Sequence, residues 1–291
     1  MSEILHYSYG NVKLGRGAFI LPPVLIGTLF YMGETIVDRN NPELFNVEKA
    51  KKRIDLQKTL GEKYKIPELI EISGNTPESM LKYIEFYLEN YEPPFVLGGT
   101  FEARAAAMEY LNELGYKGND YIYNAISNLK NKKELELLKK YRVSSIIILM
   151  LASENMTSSQ RFKYITEKNQ PNNQSILEGL KMMGIEQIWI DGGVITLESL
   201  AHILETQQII STSYKLPVGT APNLFLFKYS SPRLNIKFHT RYRRASIMFA
   251  ATWFSNFLFY GAIEDAKESF ASARQAMDFK KVINEKNIKF F

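Results

Sequence analysis

With 291 residues, 45% of them apolar, this chain can bury a large core without covalent staples. It contains no cysteine, which excludes disulfides, thiolate metal sites and cysteine nucleophiles and suits a cytosolic setting. The net charge of +5 is too modest for a nucleic-acid binder, but all of the excess lies between Thr206 and Ile263, where Lys215, Lys228, Arg233, Lys237, Arg241, Arg243 and Arg244 face no Asp or Glu and attract anions.

Taken from the N-terminus, the opening residues lack a basic and apolar leader pattern, so no signal peptide is expected. Ile4 to Leu14, with Gly10-Asn11 at its centre, predicts a hairpin that plugs the floor of a barrel. From there short β-rich runs alternate with helical periodicity, the rhythm of βαβ units around a parallel sheet. Strands are predicted at Val24–Phe30, Leu69–Ser73, Phe95–Gly98, Tyr121–Ala125, Ser145–Leu151, Gln187–Asp191, Tyr214–Val218 and Asn256–Tyr260. Helices are predicted at 47–62, 76–90, 101–115, 132–141, 174–184, 196–209, 240–252 and 264–285. Asn46 and Asn75 are the expected caps of the first two, with Pro77 early in the second.

Eight strand–helix pairs predict a single-domain (β/α)8 TIM barrel over 1–291, with 1–20 as the N-terminal hairpin and 280–291 as a C-terminal extension; an open doubly wound sheet is the alternative. The charge-free stretch Ala245–Ile263 is interrupted by Ser246, Thr252, Ser255, Asn256 and Gly261, so it predicts a buried helix leading into a strand, not a membrane span. Two long connections, Met32–Phe45 and Ala152–Asn173, belong above the barrel as binding loops or partner contacts.

Function in such barrels sits at the C-terminal ends of the strands. The residues predicted there include Thr28, Ser73, Gly98 to Thr100, Asn124, Ser127, Glu154, Asp191 and Asn223: amides, hydroxyls and glycines, with Asp191 and Glu154 as the charges. A metal hydrolase would want clustered ligands, but His6, His202 and His239 are scattered, so no metal is expected. A glycosidase would want two opposed carboxylates, and no serine–histidine pair or Gly-rich nucleotide fingerprint appears. What fits is a polar heterocycle gripped by amide and carboxylate hydrogen bonds, with Asp191 taking an N–H/NH2 edge.

The stretches GTLFY (27–31), PFVLGGTFEAR (94–104), YNAIS (123–127), LPVGTAPN (216–223) and NFLFYGAIED (256–265) together resemble the family that unites the H subunit of tetrahydromethanopterin S-methyltransferase with the methyltetrahydrofolate:corrinoid methyltransferases. The resemblance runs from about residue 20 to 279. It implies a barrel that moves a methyl group between N5 of a reduced pterin, of tetrahydromethanopterin or tetrahydrofolate type, and the cobalt of a corrinoid protein, in one-carbon metabolism or methanogenesis. It also implies Asn124, Asp191, Thr28, Ser73, Thr100 and Ser127 as pterin contacts and Asn223 as the residue that hydrogen-bonds near N5 and serves catalysis. Arg241, Arg243 and Arg244 are the candidates for an anion or a partner contact. A cytoplasmic location, or one peripheral to a membrane complex without a transmembrane segment, and a homodimer would fit the same family. One departure stands out: relatives carry an Asp at the end of the third strand, where this chain has Gly98-Gly99-Thr100, with Asn128 or Glu154 as candidate substitutes. On that ground two other readings stay open, a non-catalytic assembly partner and a pterin enzyme of the dihydropteroate synthase type.

Overall fold

The computed structural model describes residues 5–17, 19–151, 153, 156–194, 196–222, 236–286 and 288, with backbone alone at 236–240 and 243. Two short strands, β1 (His6–Tyr9) and β2 (Val12–Gly15), pair antiparallel. The barrel then follows as β3 (Val24–Leu29), α1 (Val47–Tyr64), β4 (Glu68–Gly74), α2 (Pro77–Asn90), β5 (Phe95–Gly99), α3 (Phe101–Glu113), β6 (Tyr121–Ile126) and α4 (Lys132–Lys140). Its second half is β7 (Ser145–Leu149), α5 (Ser158–Thr166), α6 (Ile176–Met182), β8 (Gln187–Asp191), α7 (Leu197–Tyr214), β9 (Val218–Thr220), α8 (Ile236–Thr252), β10 (Phe257–Ala262) and α9 (Ala266–Glu285). Strands β3 to β10 close in order, each parallel to its neighbours, and β10 returns to β3. The closed barrel expected from the sequence is therefore the fold.

Period-two alternation sends every second strand residue inward. Val24, Ile26, Leu69, Val96, Ile122, Ile147, Trp189, Phe257 and Phe259 fill the interior, and Tyr7, Tyr9 and Leu14 of the hairpin pack against them from below. Trp189 Nε1 donates to the Tyr9 hydroxyl at 2.7 Å, and the two rings meet edge-on at 5.5 Å. The hairpin thus closes the floor, as its turn signal implies, and leaves the opposite end as the accessible mouth.

Local chemistry explains where element boundaries depart from expectation. The second helix is capped by Thr76, not Asn75: Thr76 Oγ1 accepts from Ser79 N–H at 3.2 Å and Ser79 Oγ accepts from the Thr76 N–H at 3.3 Å, with Pro77 as the first helical residue. Asn46 caps α1 as expected, accepting from Lys49 N–H at 2.9 Å. The strand expected at Tyr214–Val218 is instead the short β9, because the buried face of α7 keeps its period through Ile210 and Ser211 and carries the helix to Tyr214. Pro217 has no N–H to give the ladder, yet its carbonyl accepts from Ile190 N–H at 2.9 Å.

The connection predicted at 152–173 holds an unforeseen helix, α5, opened by a capping box between Thr157 and Gln160. Its buried face is led by Arg161, not by an apolar stripe, so hydrophobic periodicity alone misses it. Among the described residues, no helix is long and apolar enough to cross a membrane.

Candidate functional site

The inward alternation that fills the barrel with apolar side chains turns polar in its last layer. One step beyond Ile26 stands Thr28, beyond Leu69 Glu71, beyond Val96 Gly98, beyond Ile122 Asn124 and beyond Trp189 Asp191. Thr28 and Glu71 are direct partners across β3 and β4, while Ser73, the next inward residue of β4, is paired in register with Gly98.

Glu71 is the centre of this layer, and it is absent from the residues expected on sequence grounds. Its Oε2 accepts from Thr28 Oγ1 at 2.6 Å and its Oε1 from Asn124 Nδ2 at 2.6 Å, with the residue 8% exposed. Burial pushes the Glu71 carboxyl above its ordinary value, and the bonds from Thr28 and Asn124 oppose that shift. The signal for it was present: a lone acid inside the apolar run LIEIS is on the inward face if Leu69 is.

Asp191, at the end of β8, is 6% exposed. Its Oδ1 accepts from Gly193 N–H at 2.9 Å. Its carboxyl is pushed up to about 7, chiefly by burial, with the Gly193 bond opposing, the Glu71 charge raising it further and Arg161 drawing it down. Arg161 is wholly buried and donates to the carbonyls of Met150 (2.8 Å) and Gly192, joining the chain beyond β7 to the chain beyond β8. Two buried carboxylates that feel each other's charge, flanked by an amide and a hydroxyl, form a mouth suited to a ligand rich in N–H donors.

A second arginine holds the frame. Arg104, buried in α3, donates to the carbonyls of Gly99 at 3.0 Å and Asn124 at 2.8 Å and pairs with Glu134 at 3.0 Å, while its guanidinium lies over the Tyr123 ring. It fixes the ends of β5 and β6 and thereby the backbone that carries Asn124. Arg104→Met leaves Glu134 and two carbonyls without this charged donor, so about 2–3 kcal/mol of stability is expected to be lost, read from the urea midpoint.

The remaining sequence candidates divide. Thr100 is the cap of α3: it accepts from Ala103 N–H at 3.2 Å and donates to the Asn75 carbonyl at 3.1 Å. Ser127 is half-buried just past β6, accepting from Asn128 Nδ2 at 3.3 Å, and its carbonyl is taken by Tyr164. Asn128 Oδ1 closes its own turn on Lys130 N–H at 2.9 Å, and the side chain that stands beside Gly98 is Glu71. Arg244 pairs with Asp265 at 2.7 Å and Arg241 with Glu268 at 3.1 Å, so these two guanidiniums of the basic segment face acids at the start of α9. Asn223, Glu154 and the Arg243 side chain lie outside the described residues. His6 opens the floor hairpin and His202 lies on α7 beside Ser158. Among the described residues, no group of three His, Asp or Glu could hold a metal ion.

Dihydropteroate synthases are among the solved structures that share this architecture. The Yersinia pestis enzyme in complex with a sulfonamide drug superposes with a TM-score of 0.61 at 14% identity, covering 96% of this chain and 100% of its own. The Xanthomonas albilineans enzyme with 4-aminobenzoic acid gives 0.59 at 15% identity and 94% of each chain. At that identity the likeness is one of fold. The family model of the tetrahydromethanopterin S-methyltransferase MtrH subunit matches residues 4–289, and the chain belongs to that family. The H subunit of tetrahydromethanopterin S-methyltransferase from Methanothermobacter thermautotrophicus is 27% identical over 272 residues, 91% of this chain and 87% of the relative. Its namesake from Methanothermobacter marburgensis is 28% identical over 212 residues, 72% of this chain and 68% of the relative. Membership makes the chain a methyltransferase by class.

Proposed function

We propose that this chain binds a reduced, N5-methylated pterin in the barrel mouth and passes its methyl group to the cobalt of a corrinoid carried by a partner protein. The observation that carries the reading is the polar last layer of the barrel: buried Asp191 and Glu71 with Asn124 and Thr28, on the face where barrels of this kind work. The relatives are named for tetrahydromethanopterin and as subunits, which favours that pterin and an assembly with other chains.

In this reading Asp191 accepts from an N–H/NH2 edge of the pterin, and Thr28 and Asn124 orient the carboxylate beside them. Ser73 and Ser127 stand on the mouth side of that layer as further contacts, and Thr100 acts through the start of α3. As the N5–CH3 bond breaks, the ring nitrogen takes a proton and leaves as a secondary amine. A hydrogen bond to that nitrogen lowers the barrier, and Asn223 is the residue given that role. The corrinoid supplies the cobalt that receives the methyl. For that approach the rim must be wide, and the connection after β3 offers Met32, 82% exposed, and Leu44, 59% exposed, with exposed Arg241 as a further partner contact.

The test is calorimetric titration with methyl-tetrahydromethanopterin and, separately, methyl-tetrahydrofolate. Wild type is expected to bind one of them with a micromolar Kd. Removing a charged partner of the buried N–H edge should weaken binding about 100-fold in Asp191→Ala. Absence of binding by wild type to either ligand at millimolar concentration would overturn the assignment.

A further inference from the structure

Glycine at position 98 is a departure in the sequence, and the structure gives it a geometric reason. Position 98 faces the barrel interior between Glu71 on β4 and Asn124 on β6. A Cβ placed on Gly98 would stand 3.0 Å from Glu71 Cδ, 3.1 Å from Glu71 Cγ and closer still to Oε1. No rotamer at residue 98 avoids that contact, because the clash begins at Cβ itself. The space that any side chain of residue 98 would enter is therefore filled by the carboxylate of Glu71. With β5 bare at this level, Asn124 reaches across it and donates to Glu71 Oε1 at 2.6 Å, a bond between strands that are not neighbours in the sheet.

The carboxylate is held, not accidental. Thr28 from β3 and Asn124 from β6 each donate to a different oxygen, so the group is fixed from two sides. A carboxylate oxygen has room for a second donor, and each Glu71 oxygen has one bond of this kind. A reduced pterin carries N–H donors along two edges, the N3–H with the 2-amino group and the N8–H, which is more than one carboxylate can satisfy.

We propose that Glu71 is the second pterin-binding carboxylate of this site, delivered from β4 into the space that Gly98 leaves open on β5, where it accepts from ring N–H donors that Asp191 does not take. The inference rests on the pterin reading above and specifies how this chain completes the site. It also couples positions 71 and 98: a side chain at 98 would displace the Glu71 carboxylate from the place where Thr28 and Asn124 hold it.

The experiment measures methyl-tetrahydromethanopterin affinity by calorimetry for wild type, Glu71→Gln, Gly98→Asp and the exchange variant Glu71→Ala/Gly98→Asp, with circular dichroism to confirm folding. Glu71→Gln keeps the shape and removes the charge, so affinity is expected to fall about tenfold or more. Gly98→Asp alone places two carboxylates in one space and should bind worse than Glu71→Gln. The exchange variant, with one carboxylate restored from β5, should bind at least about tenfold more tightly than Gly98→Asp. If wild type binds and Glu71→Gln binds within about threefold of it, the inference is wrong although the pterin reading stands. The same holds if the exchange variant is no better than Gly98→Asp alone. If wild type itself binds no pterin, it is the underlying reading that fails.

Discussion

Arg53→Met is expected to destabilise the protein by about 3–5 kcal/mol at pH 8 and by much less at pH 5. Arg53 reaches from α1 to pair with Glu34 in the connection after β3 and with Glu264 in the turn after β10, and it donates to Thr35 Oγ1 at 2.9 Å. Since β3 and β10 are the pair that closes the barrel, this guanidinium ties the seam at the mouth. The Glu34 side chain has no exposure at all, and it also accepts from the Phe30 N–H. Its carboxyl is pushed from 4.5 up to about 7, mainly by burial, with the Arg53 charge opposing.

A carboxyl raised in the folded state favours folding while protonated, so its contribution is complete below about 4.5 and is lost as pH rises through about 7. At pH 8 Glu34 is ionised and Arg53 is what compensates it; without Arg53 a buried charge stands alone. At pH 5 Glu34 is already largely neutral and loses only hydrogen bonds. Urea midpoints at the two pH values read the difference, and Arg53→Met/Glu34→Gln should recover most of the loss at pH 8. Equal costs at both pH values would show that Arg53 acts by packing alone.

The barrel was legible in the sequence because its signals are local and repeated. β-rich runs, helical periodicity and caps such as Asn46 recur along the chain, and eight such pairs leave few topologies. Asp191 and Asn124 were legible because each lies at or near the end of a strand whose preceding inward residue, Trp189 or Ile122, is apolar and buried. Glu71 carried the signal of a lone inward acid, but it lies two residues before the expected strand end and its significance depends on what β5 lacks. Gly98 reads in sequence as a lost acid; only the folded barrel shows that a carboxyl from the neighbouring strand, Glu71, lies against that position. Arg241 and Arg244 illustrate the converse: their stretch of chain has no acid of its own, and their partners, Glu268 and Asp265, come from the next element in the chain. Charge counted along a sequence does not see charge across a helix pair.

Pterin affinity is expected to rise with pH and level off above about pH 7, and Asp191→Asn should weaken that dependence, leaving only the part that the raised Glu71 carboxyl supplies. Burial lifts the Asp191 carboxyl from 3.8 to about 7, the Glu71 charge adds to the rise, and the Gly193 N–H and Arg161 offset part of it. Only the ionised carboxylate accepts from both donors of an N–H/NH2 edge, so below about pH 7 binding must first expel a proton. Affinity then falls roughly tenfold for each pH unit. Calorimetry at pH 6 in two buffers of different ionisation enthalpy should detect that proton, and at pH 8.5 should detect none.

The same shift burdens the empty site. Because the folded state prefers the protonated acid, Asp191 withdraws stability as pH rises from 3.8 through about 7. Asp191→Asn removes this loss and should melt higher than wild type at pH 8, by roughly 2–4 °C for each kcal/mol regained, while binding pterin far more weakly. A site that is costly when empty and relieved by N–H donors is built for its ligand. If Asp191→Asn melts lower than wild type at pH 8, the carboxylate is structural, its bond to Gly193 being what matters, and the pterin edge must be sought at Glu71 alone.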